Sequence, residues 1–410
     1  MKIFLLSIVL MFTLCVSAQE DKIEKKEVVK KTELSQYLNS SKKLGFTEKD
    51  SLFQVNIGFR VQSRVGYGKE EGKSGVVEGE IRRMRLKLDG FVYNPKFGYK
   101  VELGFSARDI GTVVVGNSGN VILDGVFFYK PTSDFTIGFG QTKLPGNNQR
   151  VISSNSLELT DRSINNSKFN IDRDFGLFLD YSKESKEHFA YSLKGAISKG
   201  EGRNWVKTKD DGIALTGKVE LFPLGSFTKN GSNFEADLMR EKTPKLMVSG
   251  AFSQNNNALR SQGQLGSSLY EARTLKSVFF DAILKYNGWS ATGAYMSRMA
   301  DNPITVSATD ATKQQAVFVG NGIDAQLSYL FPSNYQIIGR FSTQKVDDEI
   351  QTISPDMDEY TIGLSKYLYG HKVKLQTEFS YDTVKNYSGS TDNNWFVRFN
   401  NMCSSSSNGF

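Results

Sequence analysis

Glu80-Ile-Arg-Arg-Met-Arg-Leu-Lys-Leu-Asp-Gly-Phe-Val-Tyr, then Asn94-Pro-Lys-Phe-Gly, then Tyr99-Lys-Val-Glu-Leu-Gly-Phe-Ser-Ala-Arg is the stretch whose reading decides the fold. Along its first arm Met84, Leu86, Leu88 and Val92 fall on one side, and Arg83, Arg85, Lys87 and Asp89 on the other. A strand sends successive side chains to opposite faces, so this arm has one apolar face and one densely charged face. After the Asn94-Pro95 turn, Tyr99, Val101, Leu103, Phe105 and Ala107 oppose Lys100, Glu102, Ser106 and Arg108. By the same parity Arg82 shares a face with Met84 and belongs at the outer rim, away from the charged side. A soluble sandwich turns the apolar face inward. A membrane barrel turns it to lipid and the charges to an aqueous lumen.

The N-terminus favours the second arrangement. Lys2 is the only charge before the apolar run Ile3 to Val16, and Val16-Ser17-Ala18 offers small residues before Gln19. That is the pattern of a secretory signal over residues 1–18, too short to span a bilayer as a helix. Its removal takes away one Lys and lowers the formal charge from +7 by one. Mean hydropathy is −0.37, and no later run approaches 18 uncharged apolar residues, which excludes a helical membrane protein. A barrel is not excluded, because alternating strands average out polar. Only Cys403 remains after the signal, so there is neither a disulfide framework nor a thiolate metal site.

Residues 19–50 are highly charged and read as a flexible or partly helical periplasmic arm; a nucleic-acid-binding role does not suit an exported chain. Alternation begins at Phe53 and recurs in segments of about ten residues, the length a tilted strand needs to cross a bilayer. The segments are 52–67, 80–93, 98–108, 121–131, 135–143, 174–183, 189–199, 212–222, 244–255, 276–286, 289–299, 318–331, 335–346, 358–369, 372–384 and 393–399. They predict an all-β fold, a 16-stranded antiparallel transmembrane β-barrel over residues 51–399. Connections alternate short and long, as periplasmic turns and extracellular loops do in outer-membrane barrels. One short-side connection, 223–243, breaks that order by being long and polar. Residues 400–410 read as a polar C-terminal tail, with Asn401, Cys403 and Ser405 on the lipid-facing parity.

For chemistry the sequence offers little. Its two histidines, His188 and His371, both fall in predicted periplasmic turns. Catalysis at an outer rim would need a proton shuttle there. No phosphate loop, zinc spacing or nucleophile elbow occurs, so neither enzyme, cofactor nor metal is expected. Sixteen strands suffice for an aqueous channel, and the chain is too short for a 22-stranded barrel with its own plug.

Parity places sixteen cations inward: Arg60, Arg64, Arg83, Arg85, Lys87, Lys100, Arg108, Lys130, Lys194, Lys218, Lys245, Lys285, Arg298, Arg340, Lys374 and Arg398. Ten acids share that face, so the lumen is expected to be cationic and to favour anions. The five cations from Arg60 to Lys87 are the densest group, and guanidinium forks suit tetrahedral oxyanions. The long loop 144–173 carries Arg150, Arg162, Lys168 and Arg173; folded inward it would form a constriction.

Several pieces taken together resemble the phosphate-selective porin family, the anion porins of Gram-negative outer membranes, and its Bacteroidetes-like members in particular. They are Asp50 to Arg64, Arg82-Arg-Met-Arg-Leu-Lys-Leu-Asp-Gly, Leu123 to Pro131, Ile137-Gly-Phe-Gly-Gln-Thr-Lys-Leu-Pro-Gly, Asp172-Arg-Asp-Phe-Gly-Leu and Arg240-Glu-Lys-Thr-Pro-Lys-Leu. The resemblance spans about residues 45–399. It implies a 16-stranded outer-membrane barrel, a homotrimer, and diffusion of small anions such as phosphate past Arg60, Arg83 and Arg85, with loop 144–173 as the constriction. The Phe that commonly follows the Pro of the Lys-Leu-Pro-Gly piece is absent here, and no single residue marks phosphate among anions. An anion-preferring diffusion porin is therefore the leading expectation. The alternatives are a barrel serving as a surface adhesin or scaffold through its long loops and, third, an outer-membrane hydrolase depending on His188 or His371.

Overall fold

A computed structural model describes residues 44–47 and 52–405, apart from 112–119 and 205–210. The expected signal segment 1–18 lies outside the described residues, as does the arm 19–50 except Leu44–Thr47. The strands are β1 Leu44–Thr47, β2 Phe53–Lys69, β3 Val76–Val92, β4 Phe97–Gly104, β5 Ile122–Tyr129, β6 Phe135–Lys143, β7 Arg173–Lys183, β8 Ala190–Ser198, β9 Ala214–Phe222 and β10 Lys245–Arg260. They continue with β11 Ser268–Tyr286, β12 Trp289–Met299, β13 Ile304–Ser307, β14 Asp310–Ala316, β15 Gly320–Leu330, β16 Tyr335–Val346, β17 Asp356–Tyr369, β18 Val373–Lys385 and β19 Thr391–Ser404. Among the described residues, three single-turn α-helices lie in the loops, α1 Ala107–Ile110, α2 Asn148–Val151 and α3 Ile164–Lys168, beside 3-10 turns at Thr228–Asn233 and Asp348–Ile350.

Strands β2–β12 and β15–β19 form one closed antiparallel barrel of sixteen strands. β12 pairs directly with β15, leaving β13 and β14 as a separate hairpin in the intervening loop. Closure comes from β19 on β2, from Trp395 opposite Lys69 to Ser404 opposite Arg60. A closed ladder satisfies every strand's backbone without water, which is why lipid tolerates it. Phe127, Phe139, Ile197, Phe280, Leu327 and Ile362 stand exposed on the outer wall. Aromatic pairs mark both rims: Trp289 with Tyr329 and Phe97 with Tyr129 near the short turns, Tyr67 with Trp395 near the long loops. Such girdles are the expected signature of the two membrane interfaces.

Several strands outrun the sequence expectation at the long-loop side, β3 beginning at Val76, β10 running to Arg260 and β11 beginning at Ser268, and two further boundaries change the account of the chain. The third barrel strand ends at Gly104, and residues 107–110 turn into α1, because Ser106 caps that turn by accepting from Asp109 N. The last strand runs on to Ser404, into the stretch read as a polar tail. Its inward residues there, Asn400, Met402 and Ser404, are buried, and Asn400 Nδ2 donates to Gln376 Oε1 at 2.8 Å. Asn401 and Cys403 do face outward, as parity predicts. The polar composition hid a strand whose pairing with β2 needs only its backbone.

The barrel is not hollow. The loop 144–172 folds back inside from the long-loop side. Residues 223–243, unexplained by pattern, fold inside from the opposite end. Ile152 and Leu157 of the loop share an apolar cluster with Phe227 of the insert and with Met247 and Ile283 of the wall. Lys285 on β11 donates to Gly231 O at 2.7 Å, Phe234 O at 2.8 Å and Ala236 O at 2.9 Å, holding the insert by its main chain. Arg298 does the same for the loop, donating to Lys168 O at 2.7 Å and to Phe169 O and Asn170 O at 2.9 Å. Inward glycines leave room for the loop. A Cβ on Gly322 would stand 2.0 Å from Asn165 Oδ1, and one on Gly363 would stand 2.4 Å from Leu159 Cδ2.

Replacing Lys285 with Met should leave three buried carbonyls without their donor, at about 1–3 kcal/mol for each group stranded. The expected result is a lower unfolding temperature in heat-modifiability gels, with a larger single-channel conductance as the insert loosens. Unchanged values for both would show that Lys285 does not hold the insert.

Candidate functional site: a cationic path along one wall

The site begins with an irregularity. Gln62 pairs with Arg83 but Ser63 pairs with Ile81, so β3 carries one extra residue, Arg82, at a β-bulge. Ile81 and Met84 both face outward, while Arg82 and Arg83 both turn inward. This overturns the parity reading that set Arg82 on the outer rim: a bulge inserts a residue and re-aims its neighbours. Arg82 Nη2 donates to Asp161 Oδ2 at 2.6 Å, Arg83 Nη2 reaches Asp161 Oδ1 at 3.3 Å, and Arg64 Nη1 reaches Oδ2 at 3.3 Å. Asp161 lies on the loop, so three guanidiniums clamp the loop to β2 and β3. Burial pushes the Asp161 carboxyl up, but the guanidiniums of Arg83 and Arg82 outweigh it and hold it well below the usual carboxylate range.

Beside this clamp two cavities follow the β2–β7 wall. The outer one, about 350 Å³, is bordered by Arg82, Arg83, Arg85, Arg108, Lys143, Arg150, Arg162, Arg173 and Arg203 against two acids, Asp109 and Asp172. The inner one, about 710 Å³, is bordered by Arg60, Arg85, Lys87, Lys100, Lys130, Lys143 and Arg173 against one acid, Glu102. Arg85, Lys143 and Arg173 border both, and so stand at the neck between them.

The cations are held in place by acids set behind them. Arg85 Nη1 donates to Glu102 Oε1 at 3.0 Å, and its Nε and Nη2 donate to Asp109 at 2.9 and 2.5 Å. Arg173 Nε donates to Asp124 Oδ1 at 2.9 Å, and Lys100 Nζ stands 2.8 Å from Asp124 Oδ2. Asp124 itself is fully buried and borders neither cavity, whereas Glu102 and Asp109 border the cavities between cations that outnumber them. Lys143 Nζ donates to the carbonyls of Arg150 and Val151 at 2.9 Å and of Ile152 at 3.3 Å, pinning α2 at the neck. Fixed charges of one sign around a narrow water path concentrate counter-ions and repel co-ions.

The sequence-predicted residues divide accordingly. Arg60, Arg83, Arg85, Lys87 and Lys100 border the path. Arg64 is consumed by Asp161 and by Glu80, to which its Nη2 donates at 2.5 Å, and borders neither cavity. Arg108 reaches the outer cavity from α1, with its side chain 53% exposed and paired to Glu80 at 2.7 Å; it is a mouth residue and not part of a strand wall. Arg150, Arg162 and Arg173 border the path, and Arg150 is clamped on Asp172. Lys168 is exposed at the end of α3, over the Phe318 ring at 5.2 Å, and borders neither cavity. Parity could not separate these fates, since each depends on where the loop lands.

In the far half of the barrel the wall cations serve as anchors. Lys218, Lys245, Lys285, Arg298, Arg340 and Lys374 all point inward, but each donates to main-chain carbonyls of the folded-in segments or a neighbouring turn. Lys143, Arg203 and Asp161 went unnoticed in sequence. Lys143 sits where β6 turns into the loop, and the other two lie in loops, where alternation carries no information.

Where loop and insert meet, Glu158 N donates to Glu235 Oε2 at 2.7 Å, and Ser328, Gln326 and Gln336 each donate to the Glu158 carboxylate at 2.6 Å. Burial, and the Glu235 carboxylate beside it, push Glu158 up to about 7.

The family model described as phosphate-selective porin O and P matches residues 55–395. No curated protein matches the chain. Among solved structures, the outer membrane channel DcaP of Acinetobacter baumannii shares 15% identity and a TM-score of 0.55, over 88% of this chain and 99% of that one. The anion-selective porin from Comamonas acidovorans shares 11% identity and a TM-score of 0.54, over 85% and 99%. At such identities the likeness is one of fold.

Two measurements test the site. Asp161→Asn should release Arg82 and Arg83 toward the outer cavity and raise the chloride-over-potassium permeability ratio, by roughly two- to fivefold for one negative charge removed beside it; an unchanged or lower ratio would place the clamp outside the ion path. Glu158 has a raised folded pKa, so its contribution to loop docking is full below the ordinary carboxylate range and is lost as pH rises through about 7. Protease cleavage of loop 144–172 should therefore accelerate as pH rises from about 4.5 to about 7 and level off above that, and a Glu158→Gln variant should flatten that dependence.

Proposed function

The chain belongs to the phosphate-selective porin O and P family, and on that premise we propose that it is an anion-preferring diffusion channel for small solutes such as phosphate. Family and fold together make it an outer-membrane β-barrel channel and point away from an enzyme. The anion preference is the finer reading, and one observation carries it: the neck bordered by Arg85, Lys143 and Arg173, with further cations above and below.

The proposed passage uses no covalent chemistry. An anion entering the outer cavity exchanges part of its hydration for guanidinium donors of Arg82, Arg83 and Arg85. It passes Lys143 and Arg173, and leaves past Arg60, Lys87 and Lys100. Because buried acids hold these groups in place, they need not reorganise as the ion moves, and their charges are partly offset, which keeps binding weak enough for release. Cations meet the same wall as a barrier. The homotrimer that the resemblance implies belongs to this reading, and the mass of the detergent-solubilised protein checks it.

In planar bilayers with a tenfold KCl gradient, the reversal potential should have the sign of chloride preference. Arg83→Ala combined with Arg85→Ala should lower the chloride-over-potassium ratio several-fold, on the order of what two charges at a neck supply, while the barrel still folds. Cation preference in the unaltered protein would end the proposal. Conductance in phosphate and chloride at matched ionic strength then ranks the two anions.

A further inference from the structure

The inner chamber is not uniformly cationic. On β3 the inward positions run Arg83, Arg85, Lys87, Asp89 and then Phe91, so the charged series ends in an aromatic ring. Phe91 pairs with Gly98 on β4, and Gly98 pairs with Phe128 on β5. Three inward positions on adjacent strands therefore read phenyl, hydrogen, phenyl. Adjacent strands lie ~4.8 Å apart, so the two phenylalanines bracket a gap of ~10 Å over the Gly98 backbone. Phe128 is seated against a second glycine: a Cβ on Gly138 would stand 3.2 Å from its ring. Two residues along β4 from Gly98, on the same face, is Lys100, which borders the same chamber with Lys87 and Lys130. Across the chamber the loop presents Val151 and Ile152.

A hydrated inorganic oxyanion gains nothing from such a row, because phenyl and methyl groups offer it no donors and remove its water. A planar anion with an apolar body gains on both sides. Its ring lies over Gly98 between two phenyl groups, and its carboxylate reaches the Lys100 ammonium. We propose that the row Phe91–Gly98–Phe128 beneath Lys100 is a slot for aromatic carboxylates, so that this class of organic anion is the solute the inner chamber favours. The proposal rests on the anion-channel reading above and names the substrate class of the same path.

The test uses the purified full-length protein in planar bilayers, with benzoate and acetate as probes of equal charge and equal headgroup. Benzoate should block the chloride current at a concentration about tenfold lower than acetate, the change one well-placed aromatic contact supplies. Phe91→Ala with Phe128→Ala should bring the two probes level, while the reversal potential in a KCl gradient, set by the cations, keeps its sign. Gly98→Val gives a second variant with both rings in place. A Cβ there meets nothing closer than 3.5 Å, with the Phe128 ring at 3.9 Å, so the branch point is in ordinary contact and its two methyl groups take up the slot; recovery of the heat-modifiable folded band checks the barrel. This variant too should abolish the difference. Equal block by benzoate and acetate in the unaltered protein, or a difference that survives both variants, would overturn the slot while leaving chloride preference intact. Cation preference in the KCl gradient would instead overturn the channel reading on which it rests.

Discussion

Everything inside this barrel depends on charged wall side chains donating to the carbonyls of chain folded into the lumen. A lysine or arginine pointing into a confined interior must find acceptors, and a loop brought in from water must find donors for its main chain. The two needs meet. Lys285 takes three carbonyls of the insert, Arg298 takes three of the loop, and Gln376 Nε2 donates to those of Leu157, Glu158 and Leu159 at 3.2, 2.7 and 2.9 Å. The contact is made to backbone, so it asks little of the loop's side-chain identity and much of its path.

That arrangement gives the inner wall two functions. On β9–β18 the cations are spent as anchors for the folded-in segments. On β2–β7 they border water, steadied by acids such as Asp124 and Glu102 placed behind or between them. The bulge at Arg82 joins the two regions. By turning two successive arginines inward, it supplies the donors that hold Asp161, and Asp161 sets the edge of the loop beside the path. A cation placed inward by alternation is thus neither pore-lining nor structural until the loop's course is known.

Strand positions were legible because a period of two is imposed by the backbone and the lipid favours apolar residues at outward positions. Cys403 and Asn401 were assigned their face correctly even in a stretch mistaken for a tail. Arg82 was misplaced because a bulge shifts parity without any marker in composition. The insert 223–243 stood out by its length, but its inward fold depends on Lys285, Ser290 and Glu158, far away in sequence. The inward glycines Gly322 and Gly363 provide the space that Asn165 and Leu159 of the loop occupy.

By itself, the sequence determined the barrel and its sixteen strands, because both follow from local alternation against two solvents. Only the tertiary structure decided which cations meet water. That choice is made by contacts between residues as distant as Asp161 and Arg82 or Lys374 and Leu157, whose partners no local pattern encodes.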